Sequence, residues 1–146
     1  MIVIIIIKTE TLLIIIVIVT IMMKLIALVT VSVLIDYIAT LIIGDLSLEN
    51  SKLLAYAIEH GLFIPYTISV MTFYAIFSYL LLKFSKGLLE IFSKSTIVSL
   101  SLSHLLGWTT WLLRNPLYTQ TIMMIPIVSL TLLVTLSGFV ILIYDK

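Results

Sequence analysis

Apolar residues run along this chain almost without interruption, and the polar positions gather in a few short clusters between them. Four apolar stretches, 25–43, 62–82, 95–113 and 121–143, are each roughly twenty residues long. That is the length a helix needs to cross ~30 Å of hydrocarbon, and about twice what a strand of a membrane barrel requires. The pattern predicts an all-α fold: a polytopic membrane protein in which four transmembrane helices form one bundle, a single membrane domain over residues 1–146.

The connections predict further detail. The longest, 44–61, has room for an element of its own. Asn50 or Ser51 can cap a short helix over 51–60, because their side-chain oxygens accept from otherwise orphan backbone N–H groups. Leu53, Leu54, Ala57 and Ile58 then share one face, and Gly61 can close the helix in a left-handed conformation. This segment reads as a short interfacial helix between spans 1 and 2. Asn115-Pro116 should end the third span near Arg114, since proline disfavours the α conformation in the residue before it. Pro65 falls in a first turn, where its missing N–H costs little, and Pro126 lies inside the last span, where it should kink the helix.

Residues 1–24 form a hydrophobic N-terminal extension interrupted by Lys8-Thr9-Glu10. Three readings compete. The extension can continue the first span as one helix from about Thr11 to Ile43, which at 1.5 Å per residue is ~50 Å and overshoots the hydrocarbon. It can be a signal-like segment, although its charges sit in its middle and no small-residue cleavage site follows. Or translation can begin at Met22 or Met23, so that residues 1–21 are not in the mature chain.

Composition agrees with the pattern. Of 146 residues, 62% are hydrophobic and 10% charged, where a soluble domain has ~45–50% and ~25%. Such a chain cannot cover its own apolar groups with polar surface, so its solvent is the lipid bilayer. A net charge of +1 implies no nucleic-acid partner, and the absence of cysteine excludes disulfides, thiolate metal sites and cysteine nucleophiles. No nucleotide-loop, metalloprotease-helix or nucleophile-elbow signature occurs, and no cofactor is expected. Lys83, Lys86 and Lys94, with Lys8, Lys24 and Lys146, fall on one side of the spans, against Lys52 and Arg114 on the other. By the positive-inside rule both termini lie in the cytoplasm, and the 44–61 connection lies outside the cytoplasmic or plasma membrane of a prokaryote.

Two ionisable residues stand at membrane depth, where a charge costs ~2.5–3.5 kcal/mol on insertion scales. Asp36 and His104 occupy similar depths of spans 1 and 3, which run in the same direction, so the two can meet if the spans are neighbours. As a functional pair they would handle protons or bind an ion; as a structural pair they would hydrogen-bond two helices together, contributing ~0.6–2 kcal/mol. Ser32, Asp36, Thr40 and Gly44 recur every four residues and form a narrow small-and-polar stripe suited to helix packing. Ser101, His104, Trp108 and Trp111 share a face. A Ser–His–Asp triad drawn from these residues lacks any supporting elbow, and the tryptophans read as headgroup anchors. Tyr66, Phe73, Tyr74, Phe77 and Tyr79 of span 2 read as packing and interface groups. At the outer rim Glu49, Asn50, Glu59, His60 and Arg114 gather. Glu49, Glu59 and His60 offer metal-type ligands, but adjacent residues on a helix point ~100° apart, so solvated loop charge is the simpler reading.

The run Asp36-x-x-x-Thr40-x-x-x-Gly44, followed by Glu49-Asn50-Ser51-Lys52-Leu53-Leu54 and Glu59-His60-Gly61, resembles an uncharacterised family of small prokaryotic integral-membrane proteins. That family carries an Asp-x3-Thr span and a Glu-x-Asn-Pro-like segment. The likeness covers residues 35–72, with Ser51 where the family pattern has proline. It implies a compact bundle and singles out Asp36, Glu49 and Asn50, without supplying a mechanism. The residues themselves are read first as those of a structural or accessory subunit that contacts lipid and other membrane subunits or copies of itself. The alternative is a proton- or ion-coupled transporter or channel component working through Asp36 and His104. An intramembrane hydrolase or metalloenzyme is a third reading.

Overall fold

A computed structural model describes the backbone of residues 2–46, 49 and 51–144, and the side chains of 16–46, 49 and 51–139. Asn50, and the side chains of Lys8 and Lys146 that entered the charge bias, lie outside the described residues. Among the described residues the chain is helical throughout, with no strand. In order the helices are α1 (Ile2–Ile43), α2 (Lys52–Glu59), α3 (Phe63–Phe84), α4 (Leu88–Gly107), α5 (Thr109–Leu113) and α6 (Pro116–Tyr144). Four helical segments are long and apolar enough to cross a membrane. The protein is an all-α membrane protein built as a four-helix bundle.

α4 is the central element. It packs against α1 on one side and α6 on the other, while α3 closes onto α1 and touches α4. α1 and α4 point the same way, so equal heights on the two helices face each other. Beneath the Asp36–His104 level, Val29, Leu82, Ile97 and Leu100 form a buried cluster against which Met22, Leu25 and Ile26 also pack. Above it, Val33, Tyr37 and Leu54 form a second cluster with Ile58, Phe63 and Tyr66. Small hydroxyl residues line the helix contacts: Ser32, Thr67, Ser78, Ser93, Thr96 and Ser101 are all buried. Ser32, Thr96 and Ser101 return their protons to carbonyls of their own helix, at 2.5, 2.9 and 2.8 Å. They can therefore sit in an apolar interface without needing a partner across it. Among the described residues the buried hydroxyls of Thr67 and Ser78 find no hydrogen-bond partner, and nothing in the structure accounts for that.

The boundaries differ from the sequence reading at several places, each for a local reason. α1 is one continuous helix of 42 residues, about 63 Å long, starting well before Thr11. Among the described side chains its core contacts begin at Met22, and Ile16 to Val19 and Ile21 are exposed. The third span starts at Leu88, not at 95, because Lys94 pairs with Glu90 at 2.5 Å one turn away and is carried on the helix. The 83–94 connection accordingly shrinks to 85–87, where Gly87 takes φ +58. The third span also breaks at Gly107–Trp108 before Thr109–Leu113 resumes. α6 begins at Pro116 rather than 121: Asn115 Oδ1 accepts from the N–H groups of Leu117 and Tyr118 at 3.0 and 3.3 Å, and proline at the first helical position has no N–H to orphan. The reversal between α5 and α6 is made by Arg114 in the left-handed region.

α2 is capped by Ser51, whose side chain accepts from Leu54 N–H, and is followed by Gly61 at φ +69. Its inner face is Leu54, Ala55 and Ala57, with Ile58 against the second cluster. Leu53, assigned to that face from sequence, points outward at 70% exposure.

Pro126 lies inside α6. It has no N–H to offer the carbonyl four residues back, at Ile122, and there Ser103 of α4 donates its hydroxyl at 3.1 Å. One helix thus supplies the hydrogen bond that another lacks, as expected in hydrocarbon. Replacing Ser103 by alanine is expected to weaken the α4–α6 contact by about 0.6–2 kcal/mol, read as easier unfolding in mixed micelles of rising SDS content. The same replacement at Ser137, whose hydroxyl returns to Leu133 of its own helix, should change little.

Candidate functional site

The site is built where α1 and α4 meet below α2. Asp36 stands eight residues before Gly44, about 12 Å along the helix, and His104 stands three before the end of α4. Their side chains touch: His104 Nδ1 lies 2.8 Å from Asp36 Oδ2, with the side chains 18% and 17% exposed. On its other nitrogen His104 meets Tyr74 of α3, with Nε2 and the phenol oxygen 3.2 Å apart. Three helices therefore converge on one hydrogen-bonded chain, and Tyr37 closes over the imidazole edge-on at 6.2 Å between ring centroids. Tyr37 is held in turn by stacking on Tyr66 at 5.9 Å.

The chemistry of the chain follows from its donors and acceptors. An ionised carboxylate only accepts, so with Asp36 charged Nδ1 carries the imidazole proton and Nε2 accepts from Tyr74. The reverse polarity uses the same atoms: a protonated Asp36 donates to Nδ1, and Nε2–H donates to the phenol oxygen. The two arrangements differ by one proton and use the same pairs of atoms.

Gly107 makes the carboxylate's position available. A Cβ built there would stand 2.5 Å from Asp36 Oδ1, so the bare backbone of α4 is what lets the acid lie against it. Gly107 was not singled out from sequence, although Ser103-x-x-x-Gly107 is a small-xxx-small pair of the kind that marks close helix approach. By sequence Tyr74 belongs with the packing aromatics; in the structure its hydroxyl completes the polar chain.

From this chain a cavity of about 520 Å³ rises toward α2 and the α5–α6 turn. Thr40, Ser103, Thr110, Trp111 and Gln120 line it, and Glu49 and Arg114 border it. Trp111 does not stand apart as an anchor: its indole N–H donates to Thr40 Oγ1 at 3.3 Å, tying α5 to α1 beside Asp36. Thr109 and Tyr118 join α5 to α6 through their hydroxyls at 2.7 Å. Toward the other end of the bundle the buried cluster of Val29, Leu82, Ile97 and Leu100 lies below the pair, so the cavity is blind.

Ser32 and Thr40 are buried between helices, whereas Gly44 ends α1 with its N–H on the Thr40 carbonyl at 3.0 Å and a Cβ there would strike that carbonyl. The outer-rim group divides. Glu49 and Arg114 belong to the cavity, and Glu49 accepts from Ser51 N–H at 2.7 Å. Glu59 and His60 are exposed away from it, His60 stacked on Tyr56 at 3.9 Å with Nδ1 at 2.9 Å from the Tyr56 carbonyl. Among the described residues no three histidine or acidic side chains come together as metal ligands. The triad does not assemble either, since Ser101 and Ser103 donate to the carbonyls of Ile97 and Ile122 and Tyr74 occupies the far nitrogen of His104.

Comparison with protein-family models, with curated proteins and with solved structures finds no match for this chain. What fold and composition define is a small integral membrane protein.

Proposed function

We propose that this protein is a proton-coupled transporter or a component of one, with Asp36 and His104 as the proton-exchange site. The observation that carries the reading is the cavity that ends on the pair. A hydrogen bond serving only to join α1 to α4 needs no access route, and this one is reached from one end of the bundle while an apolar seal closes the other. Access from the second side would then come from loosening that seal, the alternating exposure expected of a carrier. In liposomes loaded with a pH-sensitive dye, a potassium potential clamped by valinomycin is expected to drive proton flux through the protein. Asp36→Asn and His104→Gln should reduce it to the level of protein-free vesicles while the variants elute as the parent does in detergent. Equal flux from parent and variants would overturn the reading.

A second reading, a structural or accessory subunit joined to other membrane subunits or to a second copy, is favoured by α1, where Ile16 to Val19 and Ile21 stand exposed. Purification in mild detergent with retention of a defined larger complex, lost when residues 2–21 are deleted, is the result it expects.

We place both termini in the cytoplasm and the 44–61 connection outside, because Lys24, Lys83 and Lys86 stand at the end of the bundle opposite Lys52 and Arg114. The absence of cysteine makes the test direct. A cysteine at position 52 is expected to react with an impermeant maleimide on intact cells, and one at position 86 only after permeabilisation; the opposite pattern inverts the protein.

A further inference from the structure

The cavity carries a chemical preference of its own. Asp36 presents one oxygen, Oδ2, to His104; the other, Oδ1, lies against the backbone of Gly107 in the cavity wall, with no N–H or O–H donor on it among the described residues. A carboxylate oxygen at this depth is costly without a donor. Beside it stand the rings of Tyr37 and Trp111, also in the wall. An anionic oxygen in a wall that also holds aromatic rings is complementary to a positively charged nitrogen that carries hydrocarbon: the oxygen accepts from N–H, and the rings attract the cation and cover the apolar part. The volume lies within the about 300–1,000 Å³ usual for small-molecule sites.

We propose that the cavity binds an organic ammonium ion, its N–H groups donated to Asp36 Oδ1 and its hydrocarbon part resting against Trp111 and Tyr37. This deepens the transport reading and rests on it: a proton and the ammonium ion compete for one carboxylate, so binding of either displaces the other from the site. The charged and titratable groups around Asp36 are His104 from α4, Tyr37 on α1, Tyr66 and Tyr74 from α3, Glu49 before α2 and Arg114 after α5; the part of α6 that lines the cavity is uncharged. Glu49 and Arg114 oppose each other in sign at the border, which leaves Asp36 to set the preference of the inner end. Protonation of Asp36 removes the attraction, and protonation of His104 opposes a second cation, so both make binding weaken as pH falls.

The test uses the full chain in lipid nanodiscs with 2-phenylethylammonium as probe, read by calorimetry and by the fluorescence of the two tryptophans. Saturable binding is expected, weakening as pH is lowered, absent for the neutral isostere 2-phenylethanol and not reproduced by sodium ions. Asp36→Asn should lower affinity at least about tenfold, and Trp111→Leu about 2- to 30-fold. The pH dependence of the parent and the Trp111 variant stand whether or not the Asp36 variant assembles. Equal binding of 2-phenylethanol, or affinity independent of pH and of Trp111, would overturn the proposal. Amine binding without proton flux supports the cation site and removes the transport reading; proton flux lost in Asp36→Asn without amine binding does the reverse.

Discussion

Replacing Gly107 by alanine is expected to separate Asp36 from His104. The added Cβ would stand 2.5 Å from Asp36 Oδ1 and 3.0 Å from its Cγ, well inside contact distance, so either the carboxylate turns away or α4 moves off α1. Overpacking of this kind costs about 1–3 kcal/mol. Proton flux should fall with it, because the acid leaves the imidazole. Gly138→Ala is the control: it lies inside α6 with nothing within 4 Å of a built Cβ, and alanine's better helix propensity should leave stability unchanged or slightly raised. Combining Gly107→Ala with Asp36→Ala should recover part of the lost stability, since the second change removes the atoms the first strikes. If Gly107→Ala behaves like Gly138→Ala in SDS unfolding and in flux, the close approach of α4 to the acid is wrong.

Ile97→Ala is expected to give the largest loss of stability, about 2–5 kcal/mol. Ile97 is fully buried between Val29, Leu82 and Leu100. Lipid offers helices no hydrophobic drive to associate, so shape-matched packing of this kind is a main source of cohesion, and a cavity there removes it outright. It also thins the seal beneath the proton site, so the surviving folded protein should leak protons more than the parent. The neighbouring Val98, 37% exposed on the outer face, should tolerate alanine within about 0.5 kcal/mol. Unfolding in mixed micelles separates the two; equal effects at both positions would mean that α4 is not the buried centre of the bundle.

Much of the architecture is legible in the sequence because hydrocarbon leaves few choices. Runs of about twenty apolar residues define the spans, and Ser51, Gly61 and Asn115-Pro116 mark helix ends through backbone chemistry that does not depend on tertiary contacts. Where helices begin inside polar connections is less legible. Lys94 and Glu90 resemble loop residues singly and become helix residues as an i,i+4 pair, and Pro116, which marks the end of the third span, is also the first residue of the fourth. In the site, Asp36 and His104 draw notice because ionisable groups are rare at that depth. Tyr74 and Gly107 do not, since a tyrosine among aromatics and a glycine near a helix end are ordinary until the third dimension places them against the pair. Glu59 and His60 show the converse: chemically suggestive neighbours in sequence that face away from the cavity.

The protonation and hydrogen bonding of His104 test the account most directly. The protein has two histidines, and His60 is exposed beside Tyr56, so nitrogen NMR on labelled protein in lipid bilayers can resolve and assign both. The Nδ1 resonance of His104 is expected to carry the signature of a hydrogen bond to a carboxylate, to exchange with water, and to shift in Asp36→Asn while His60 does not change. A His104 resonance that is indifferent to Asp36→Asn, or sealed from water, would contradict it.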